Sequence, residues 1–308
     1  TRSKDGDPIF GWDMNTVDGL NLLKLDILGL NTLDDIQVTM DLVRQRRNIE
    51  ISRENMPLDD PVTYAMIGNG FTVGVFQIEK QLGRTWSKNL KPETIDQLSD
   101  LVSLIRPGPM ESNMHTQYRD VKMNGSQPTY IHPSLEPILK NTYSGLLYQE
   151  QVIEICRMLA GMSLIDADKV RKAMGKKKPE EMKKWEQIFT SGCSKNGIDP
   201  DIALSIWSYI DKFAGYGFNK SHGVGYALMA YETAYLKANY PTEFLCAKLT
   251  NSDGDSEKLS GLIYDAKLFD INVTPPRVTH GNKDFAIVTD KHIAFGLTAL
   301  KGVGVAAV

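Results

Sequence analysis

Hydrophobic and polar residues alternate over one short stretch near the start of the chain and then change to helical spacing. Residues 22–28 alternate as a half-buried strand does, and Gly29 follows as a turn. From Asn31 onward apolar residues recur at helical spacing, with aspartates in the first turn and arginines in the last, which suits the helix dipole. The pattern predicts a strand, a turn and then a helix that ends near Arg47.

The middle of the chain gives weaker and mixed signals. An aspartate followed by a proline at residues 60–61 predicts the start of a short helix, and residues 72–78 are typical of a strand. Residues 90–133 look irregular, with a proline turn at 106–109 and a polar stretch at 124–128. We expect the polar stretch to be a loop or a joint between subdomains.

Helical signals are strongest in residues 149–240. An apolar stripe that ends at Gly161, a capping box at 163–166 and two proline-led starts predict four helices. Ser221 is expected to cap a fifth helix, which ends near Asn239 before a proline. This region is therefore predicted to be a helical domain.

Beyond Asn272 the pattern changes again. A pair of prolines leads into short alternating stretches at 285–288 and 292–295, which are typical of strands. We place a domain boundary at about residue 270. The predicted fold class is mainly α with small β elements, an α+β chain in which helices dominate.

The composition is that of an ordinary globular protein, with 308 residues, of which 42% are hydrophobic and 24% charged. A chain of this length buries roughly 75% of its unfolded surface, so it needs no disulfide or structural metal for stability. Cys156, Cys193 and Cys246 lie far apart without a CxxC pair, which argues against a zinc ribbon and fits a reducing cytoplasm. No long apolar run or leader is present, so we expect no membrane span. Because the chain starts at Thr1 and ends without a terminating signal, we expect a fragment of a longer protein.

Asp26 carries the first chemical signal, because aspartate is disfavoured in strands and a carboxylate among aliphatic residues needs a partner. An ion pair with Lys24 or an exposed sheet edge would satisfy it. The alternative is a magnesium ligand, since hard cations prefer carboxylate oxygens and two-metal phosphoryl transfer needs several of them. The other ligands would then have to come from outside this chain.

Positive charge is concentrated in the helical region, although the whole chain carries a net charge of −3. Residues 151–240 hold 13 basic and 10 acidic side chains. Seven of these 13 cations lie between residues 171 and 184, namely Arg171, Lys172, Lys176, Lys177, Lys178, Lys183 and Lys184. Such a cluster attracts phosphates. Its convergence on a short turn favours a polyphosphate, and a solvated helix end is the alternative.

Residues 214–222 (AGYGFNKSH) form an aromatic and glycine-rich loop at a helix start. Glycines permit close backbone approach, aromatic rings stack on bases, and a lysine beside a helix N-terminus favours an anion. The candidate nucleotide-binding residues of this loop are Tyr216, Phe218, Asn219, Lys220, Ser221 and His222. Arg106 is a weaker candidate for a phosphate contact, and residues 148–151 carry amides that could contact a base or sugar. A turn with two packed rings and a simple helix start are the alternatives.

No other catalytic motif is present in the sequence. The five histidines do not cluster at metal-ligand spacing, and the chain has no Walker loop, GxSxG elbow or GxGxxG fingerprint. Ordinary hydrolase and dinucleotide-binding functions therefore gain little support.

Seven short motifs occur in an order and at a spacing that match a known family. They are KLDILGL (24–30), PLDDP (57–61), GVFQIE (74–79), IRPGPM (105–110), YQEQV (148–152), RKAMGKKKPEEM (171–182) and AGYGFNKSH (214–222). Together they resemble the alpha subunits of bacterial DNA polymerase III, the C-family replicative polymerases. The resemblance implies the end of a polymerase β-like palm at 1–30, a helical fingers domain at 31–270 and the start of a helix-hairpin-helix region at 271–308.

The resemblance also implies an activity, which is DNA-directed DNA synthesis by a two-metal mechanism with magnesium. Asp26 matches the third palm carboxylate, which acts with an upstream aspartate pair. The segment that meets the triphosphate is matched by Arg171, Lys172, Lys176 and Lys177. The part that frames the incoming nucleotide is matched by Arg106 and by residues 216–222.

The implied partners are primer–template DNA and deoxynucleoside triphosphates. Through the parent chain they include a sliding clamp, a proofreading exonuclease and clamp-loader subunits, in the cytoplasm and without a membrane. One departure from the family is that Gly223, Val224 and Gly225 replace small alanines, which predicts a looser helix start. The alternative function is a non-catalytic DNA-binding or scaffold module derived from a polymerase.

Overall fold

A computed structural model of the chain describes residues 1–20, 22, 29–176, 179–214, 217–252, 255–277 and 282–308. These residues form two compact units, Thr1–Asn31 and Thr32–Val308. The domain boundaries expected near residues 30 and 270 stay predictions.

The first unit contains the short helix α1 (Met14–Gly19). Asp13 precedes it and accepts hydrogen bonds from the backbone N–H and the hydroxyl of Thr16, at 3.1 and 2.7 Å. This is the usual way in which an aspartate caps a helix start. Of the predicted strand, residues 23–28 lie outside the described residues, and so does Asp26.

The remainder of the chain is mainly helical. The helices are α2 (Asn31–Arg47), α3 (Pro61–Gly68), α4 (Gln81–Leu90), α5 (Ile95–Leu104), α6 (Pro107–Glu111), α7 (Met114–Asn124), α8 (Glu136–Leu139), α9 (Gln149–Ala160), α10 (Leu164–Lys176), α11 (Pro179–Lys195), α12 (Pro200–Phe213), α13 (Lys220–Asn239), α14 (Pro241–Thr250) and α15 (Ser256–Lys267). The strands are β1 (Asn272–Thr274), β2 (Ala286–Thr289) and β3 (His292–Ala294). They form a sheet in the order β1-β3-β2, in which β3 is parallel to β1 and antiparallel to β2. The predicted fold class is confirmed.

Several helices begin and end where the sequence predicts. Asp60 accepts the Thr63 N–H at 2.9 Å and starts α3, and Asp199 accepts two N–H groups at the start of α12. The apolar stripe of α9 is buried, and the helix ends at Gly161 in a left-handed conformation with φ 65°. Glycine adopts that conformation without a steric penalty, so the chain can turn there into α10.

Helix α13 is the centre of the packing and lies against α3, α5 and α14. Its contact with α5 is close, because a Cβ at Gly223 would lie 2.9 Å from the Ser99 Oγ and 3.1 Å from the Ser103 Oγ. Around Gly225, in contrast, nothing lies within 4 Å of such a Cβ. Gly223 therefore has a packing role, and α13 runs through both glycines without a break.

The three cysteines are buried and free of disulfides. Burial raises the pKa of the Cys156 and Cys246 thiols to about 12 and that of Cys193 to about 11. Cys246 lies on α14, and its thiol donates to the carbonyl oxygen of Phe285 at 3.4 Å, where the sheet packs against this helix. The three cysteines are therefore core residues.

The strand predicted at residues 72–78 is wrong, because this segment is a series of turns. The backbone leaves the extended conformation at Gly74, with φ 75°, and at Gln77, with φ 63°. The carbonyl oxygens of Phe71 and Val73 accept hydrogen bonds from Lys237 Nζ at 2.8 Å each instead of pairing with a strand. The alternation in the sequence reflects turns that bury Val75 and Ile78.

The irregular structure predicted for residues 90–133 is also wrong over most of its length. The segment contains α5, α6 and α7, and Thr94 caps α5 by accepting the Gln97 N–H at 3.2 Å. The predicted proline turn is the first turn of α6, where a proline is tolerated because its missing N–H would have no partner. The polar stretch at 124–128 does follow the end of α7 as a loop.

Candidate nucleotide-binding surface

Four rings form a continuous series on one part of the second unit, which we call the aromatic row: Phe76, Tyr226, His222 and Phe218. Successive ring centroids are 5.2, 4.0 and 5.5 Å apart. His222 and Tyr226 are four residues apart on α13 and so share one face of the helix. Phe218 lies just before α13 and Phe76 in the turn at 72–78, so two separate parts of the sequence build the row.

Arg106, which precedes α6, lies over this row. Its Cζ atom is 5.1 Å from the centre of the Phe218 ring and 6.0 Å from that of Tyr226. Its buried Nη2 atom has no hydrogen-bond partner among the described residues. A buried donor without a partner is costly, and an arginine over rings is favourable. Arg106 as a whole is only half-buried, so its guanidinium is suited to an oxygen ligand that approaches the row.

The start of α13 is organised by Asn219 and not by Ser221, which corrects the predicted cap. The Asn219 side chain accepts the His222 N–H at 2.9 Å. The Glu150 carboxylate accepts the Lys220 N–H at 3.1 and 3.0 Å. Lys220, Ser221 and His222 are exposed, so their side chains face solvent while two N–H groups of the helix start are already occupied.

The start of α9 fixes the loop that leads into α13. The Gln149 N–H donates to the Phe218 carbonyl oxygen at 2.9 Å, and the Gln149 side-chain amide donates to the Gly217 carbonyl oxygen at 3.0 Å. A Cβ at Gly217 would lie 2.9 Å from the Phe213 ring, so the close approach needs glycine. The sequence predicts that amides at 148–151 could contact a base or sugar. The Gln149 side-chain amide instead positions the loop.

The Gln149 side chain also connects the loop to the basic region of α10. Its Oε1 atom accepts a hydrogen bond from Arg171 Nη1 at 3.2 Å. Arg171 and Lys172 each pair with Asp168 at 2.8 Å, and these two cations hold the pKa of Asp168 below its ordinary value, with Lys172 as the larger cause. Lys172 is exposed and Arg171 half-buried. The structure therefore brings Arg106, Arg171 and the 217–222 loop into one connected region.

Some predicted site residues cannot be located. Lys177 and Tyr216 lie outside the described residues, as Asp26 does, and of Lys176 only the backbone at the end of α10 is described. In the residues that the structure describes, no group of three or more histidine, cysteine, aspartate or glutamate side chains could hold a metal ion.

A buried polar cluster lies behind the loop, and its central residue, Asp100, is absent from the residues predicted from the sequence. Asp100 on α5 accepts hydrogen bonds from the hydroxyls of Tyr148 and Tyr118, at 2.7 and 2.8 Å. Burial raises the pKa of Asp100 to about 6, against the two hydrogen bonds, which lower it. Tyr148 is also joined to Phe218 by a backbone bridge. Asp100 thus supports the strand-like contact that carries one ring of the aromatic row.

Tyr226 and Phe76 are the other contributors that the sequence did not single out. The signal for Tyr226 was its position one helical turn after His222. Phe76 belongs to the GVFQIE motif, for which the sequence predicts a strand, whereas a turn places its ring against Tyr226.

Comparison with known proteins defines the class. Residues 32–197 match the family model described as the bacterial DNA polymerase III alpha subunit finger domain. The helices that carry Arg106, Gln149 and Arg171 thus form a domain of the polymerase-finger class. The matched range lies within the fingers domain expected at 31–270.

The similarity to individual proteins extends over nearly the whole chain. The DNA polymerase III subunit alpha of Aquifex aeolicus is 40% identical over 302 residues, which cover 98% of this chain and 26% of that protein. The proteins of the same name from Thermus aquaticus and Escherichia coli K12 are 40% identical over 309 and 306 residues, with 98% and 96% of this chain covered. The chain belongs to the bacterial DNA polymerase III alpha subunit family. It spans about a quarter of the length of these curated relatives.

No helix in the described part of the chain is long and apolar enough to cross a membrane.

Proposed function

We propose that this chain supplies the fingers of a DNA-directed DNA polymerase, within a longer replicative polypeptide in the cytoplasm. The reaction would add deoxynucleotides to a primer 3′ end on a template. The substrates would be primer–template DNA and deoxynucleoside triphosphates. A sliding clamp, a proofreading exonuclease and a clamp loader would act through other parts of that polypeptide. The family assignment supports this function at the level of the polymerase class.

The observation that carries the proposal is the contact of Arg106 with the aromatic row. A nucleotide offers a flat base and charged phosphate oxygens, and this region offers aromatic rings together with a half-buried arginine. In the proposal the rings support the base or the nascent pair, and Arg106 binds an oxygen of the same ligand. Template pairing would supply the sequence information, so the protein needs to recognise shape and backbone.

Arg171 and Lys172 would bind the triphosphate, together with Lys176 and Lys177. Arg171 is held at a fixed place by Asp168 and Gln149, and Lys172 is exposed to an approaching anion. The ion pairs with Asp168 lie at the surface and are weak, so they can be exchanged for phosphate contacts at little cost. The hydrogen bond from Arg171 to Gln149 would couple triphosphate binding to the loop that carries Phe218.

Asp26 is proposed as a magnesium ligand through the family resemblance. Bound magnesium ions would activate the primer hydroxyl and stabilise the leaving pyrophosphate. The contribution of the described residues is to bind and orient the nucleotide.

Asp26→Asn in the complete polymerase tests the proposal. Primer extension should be lost, while the dissociation constant for primer–template DNA should change less than twofold, because the substitution removes a metal ligand and leaves the DNA-binding surface. The 308-residue chain alone should bind DNA weakly, with an affinity that falls as salt rises, and should incorporate no nucleotide.

Two results would contradict this assignment. Extension retained by Asp26→Asn would remove its role as a metal ligand. Magnesium-dependent extension by the 308-residue chain alone would show that it needs no further carboxylates. A complete protein that binds DNA but never extends a primer would instead be the DNA-binding module.

A further inference from the structure

The turn at residues 71–78 carries a residue in a strained conformation. Gln77 has φ 63°, in the left-handed region that disfavours residues other than glycine. Its side chain is exposed and makes no hydrogen bond within the part of the chain that the structure describes. Gln77 therefore gains no local contact that would explain its conformation.

The surrounding residues hold this turn in place. Lys237 donates from Nζ to two carbonyl oxygens of the turn at 2.8 Å. The Phe76 N–H donates to the Thr233 Oγ1 at 3.1 Å, and the Thr72 hydroxyl donates to the Ile78 carbonyl oxygen at 2.7 Å. Strained backbone persists where the structure around it determines it from several sides, and such positions cluster at functional sites.

The position of Gln77 relative to the aromatic row indicates what it could contact. It follows Phe76, the end member of the row, whose ring lies 5.2 Å from Tyr226. A glutamine amide both donates and accepts hydrogen bonds, and the edges of bases present both kinds of partner. An exposed amide next in sequence to one of these rings is therefore suited to the edge of a base that lies against the row.

We propose that Gln77 is a nucleotide-contacting residue whose amide hydrogen-bonds the edge of a base stacked on the aromatic row. This inference rests on the proposed function and adds a residue to it. The base belongs either to the incoming deoxynucleotide or to the primer–template, since both present the same groups. The strained turn serves to present the amide at this end of the row.

Gln77→Gly separates this role from a structural one. Glycine adopts the left-handed conformation freely, so the melting temperature should not fall. The loss of one hydrogen bond should weaken binding about five- to tenfold. The probes are mant-dATP and a primer–template duplex with a 5′ overhang, each titrated into the purified chain and followed by fluorescence. Weaker binding of one probe or of both supports the proposal and shows which ligand carries the base.

Asn48→Gly is the matched control, because Asn48 also has an amide side chain at positive φ, 53°, and lies just after α2. It should change neither binding constant. If the melting temperature of Gln77→Gly is below that of the wild type, the binding test uses Gln77→Asn instead. Asparagine tolerates the left-handed conformation and draws the amide back by one methylene, so the same weakening is expected.

Unchanged affinity of the Gln77 variants for both probes would overturn the inference. Arg106→Ala, measured in parallel, distinguishes this result from failure of the proposed function. If Arg106→Ala weakens binding and the Gln77 variants do not, Gln77 has no contact with the nucleotide and the function stands. If Arg106→Ala also binds both probes like the wild type, the aromatic row is not the nucleotide-binding surface.

Discussion

The charged groups at the two ends of α13 have different kinds of partner. Near its C-terminal end, Lys237 is fully buried, forms an ion pair with Asp265 at 2.7 Å and donates to the carbonyl oxygens of Phe71 and Val73. On the neighbouring helix α14, the buried carboxylate of Glu243 likewise accepts hydrogen bonds from Arg46 and Arg47. Charges at this end are matched by opposite charges.

At the N-terminal end of α13 two charged groups, Arg106 and Asp100, have no such ionic partner among the described residues. Arg106 lies over rings and has a nitrogen without a partner among the described residues, and Asp100 is bonded to two neutral hydroxyls. The comparison teaches that buried charges at one end of α13 are held by opposite charges, whereas at the other end they are held by rings and neutral hydroxyls. Substitutions at three places along α13 and its neighbours test that contrast.

Lys237→Met should have the largest effect. It leaves the buried Asp265 without its ion-pair partner and leaves two carbonyl groups without a donor, so we expect a loss of about 3–5 kcal/mol in the free energy of unfolding. Urea denaturation of the purified chain measures it. Lys237→Met with Asp265→Leu removes both charges and should recover part of the loss. A double variant as unstable as the single one would contradict the claim that the unpaired carboxylate dominates.

The titration of Asp100 should make the free energy of unfolding depend on pH. Burial raises its folded-state pKa to about 6, above its ordinary value of 3.8. The folded chain therefore binds this proton more tightly than the unfolded chain, and the contribution of Asp100 should make the protein more stable as pH falls from above 6 to about 4. The full effect is about 3 kcal/mol.

The measurement for Asp100 is the difference in unfolding free energy between the wild type and Asp100→Asn at a series of pH values. Asparagine keeps the shape of the side chain and does not titrate, while the other carboxylates and Lys220 are common to both proteins. As pH falls, the free energy of unfolding of the wild type should rise relative to that of Asp100→Asn. Parallel pH profiles would show that Asp100 is not a buried, weakly compensated carboxylate.

The two glycines at the start of α13 should respond in opposite directions, with the smallest effects. Gly225→Ala should stabilise the chain by roughly 0.5–1 kcal/mol, because alanine favours helix and the added methyl group meets nothing. Gly223→Ala should destabilise it by about 1 kcal/mol or more, because its Cβ would meet the Ser99 hydroxyl. Thermal melting checks both, and equal shifts would contradict the close contact between α5 and α13.

The sequence predicts best where local chemistry decides the structure. Asp60, Asp199 and Gly161 mark helix ends because a cap or a left-handed turn depends on one residue and its near neighbours. It fails at residues 72–78, where Lys237 and Thr233, distant in the chain, determine the turns. Apolar alternation alone cannot distinguish a strand from turns that bury every second or third residue.

The candidate site divides in the same way. Phe218, Asn219 and Arg171 could be named from short motifs, because their residue types suit a nucleotide. The contacts of Arg106 with Phe218 and Tyr226, and of Arg171 with Gln149, join positions more than 20 residues apart and depend on how the helices pack. No pattern in the sequence around Asp100 points to this residue, because its role depends on hydrogen bonds from two tyrosines on other elements.

The buried cysteines have a practical consequence. Cys156, Cys193 and Cys246 are enclosed and their raised pKa values leave almost no thiolate at neutral pH. Alkylating dyes should therefore leave the native chain unlabelled. A cysteine introduced at an exposed position would be the sole attachment point for a fluorophore or spin label, without removal of any native thiol. The motions of this finger domain can thus be followed by spectroscopy in an otherwise unaltered chain.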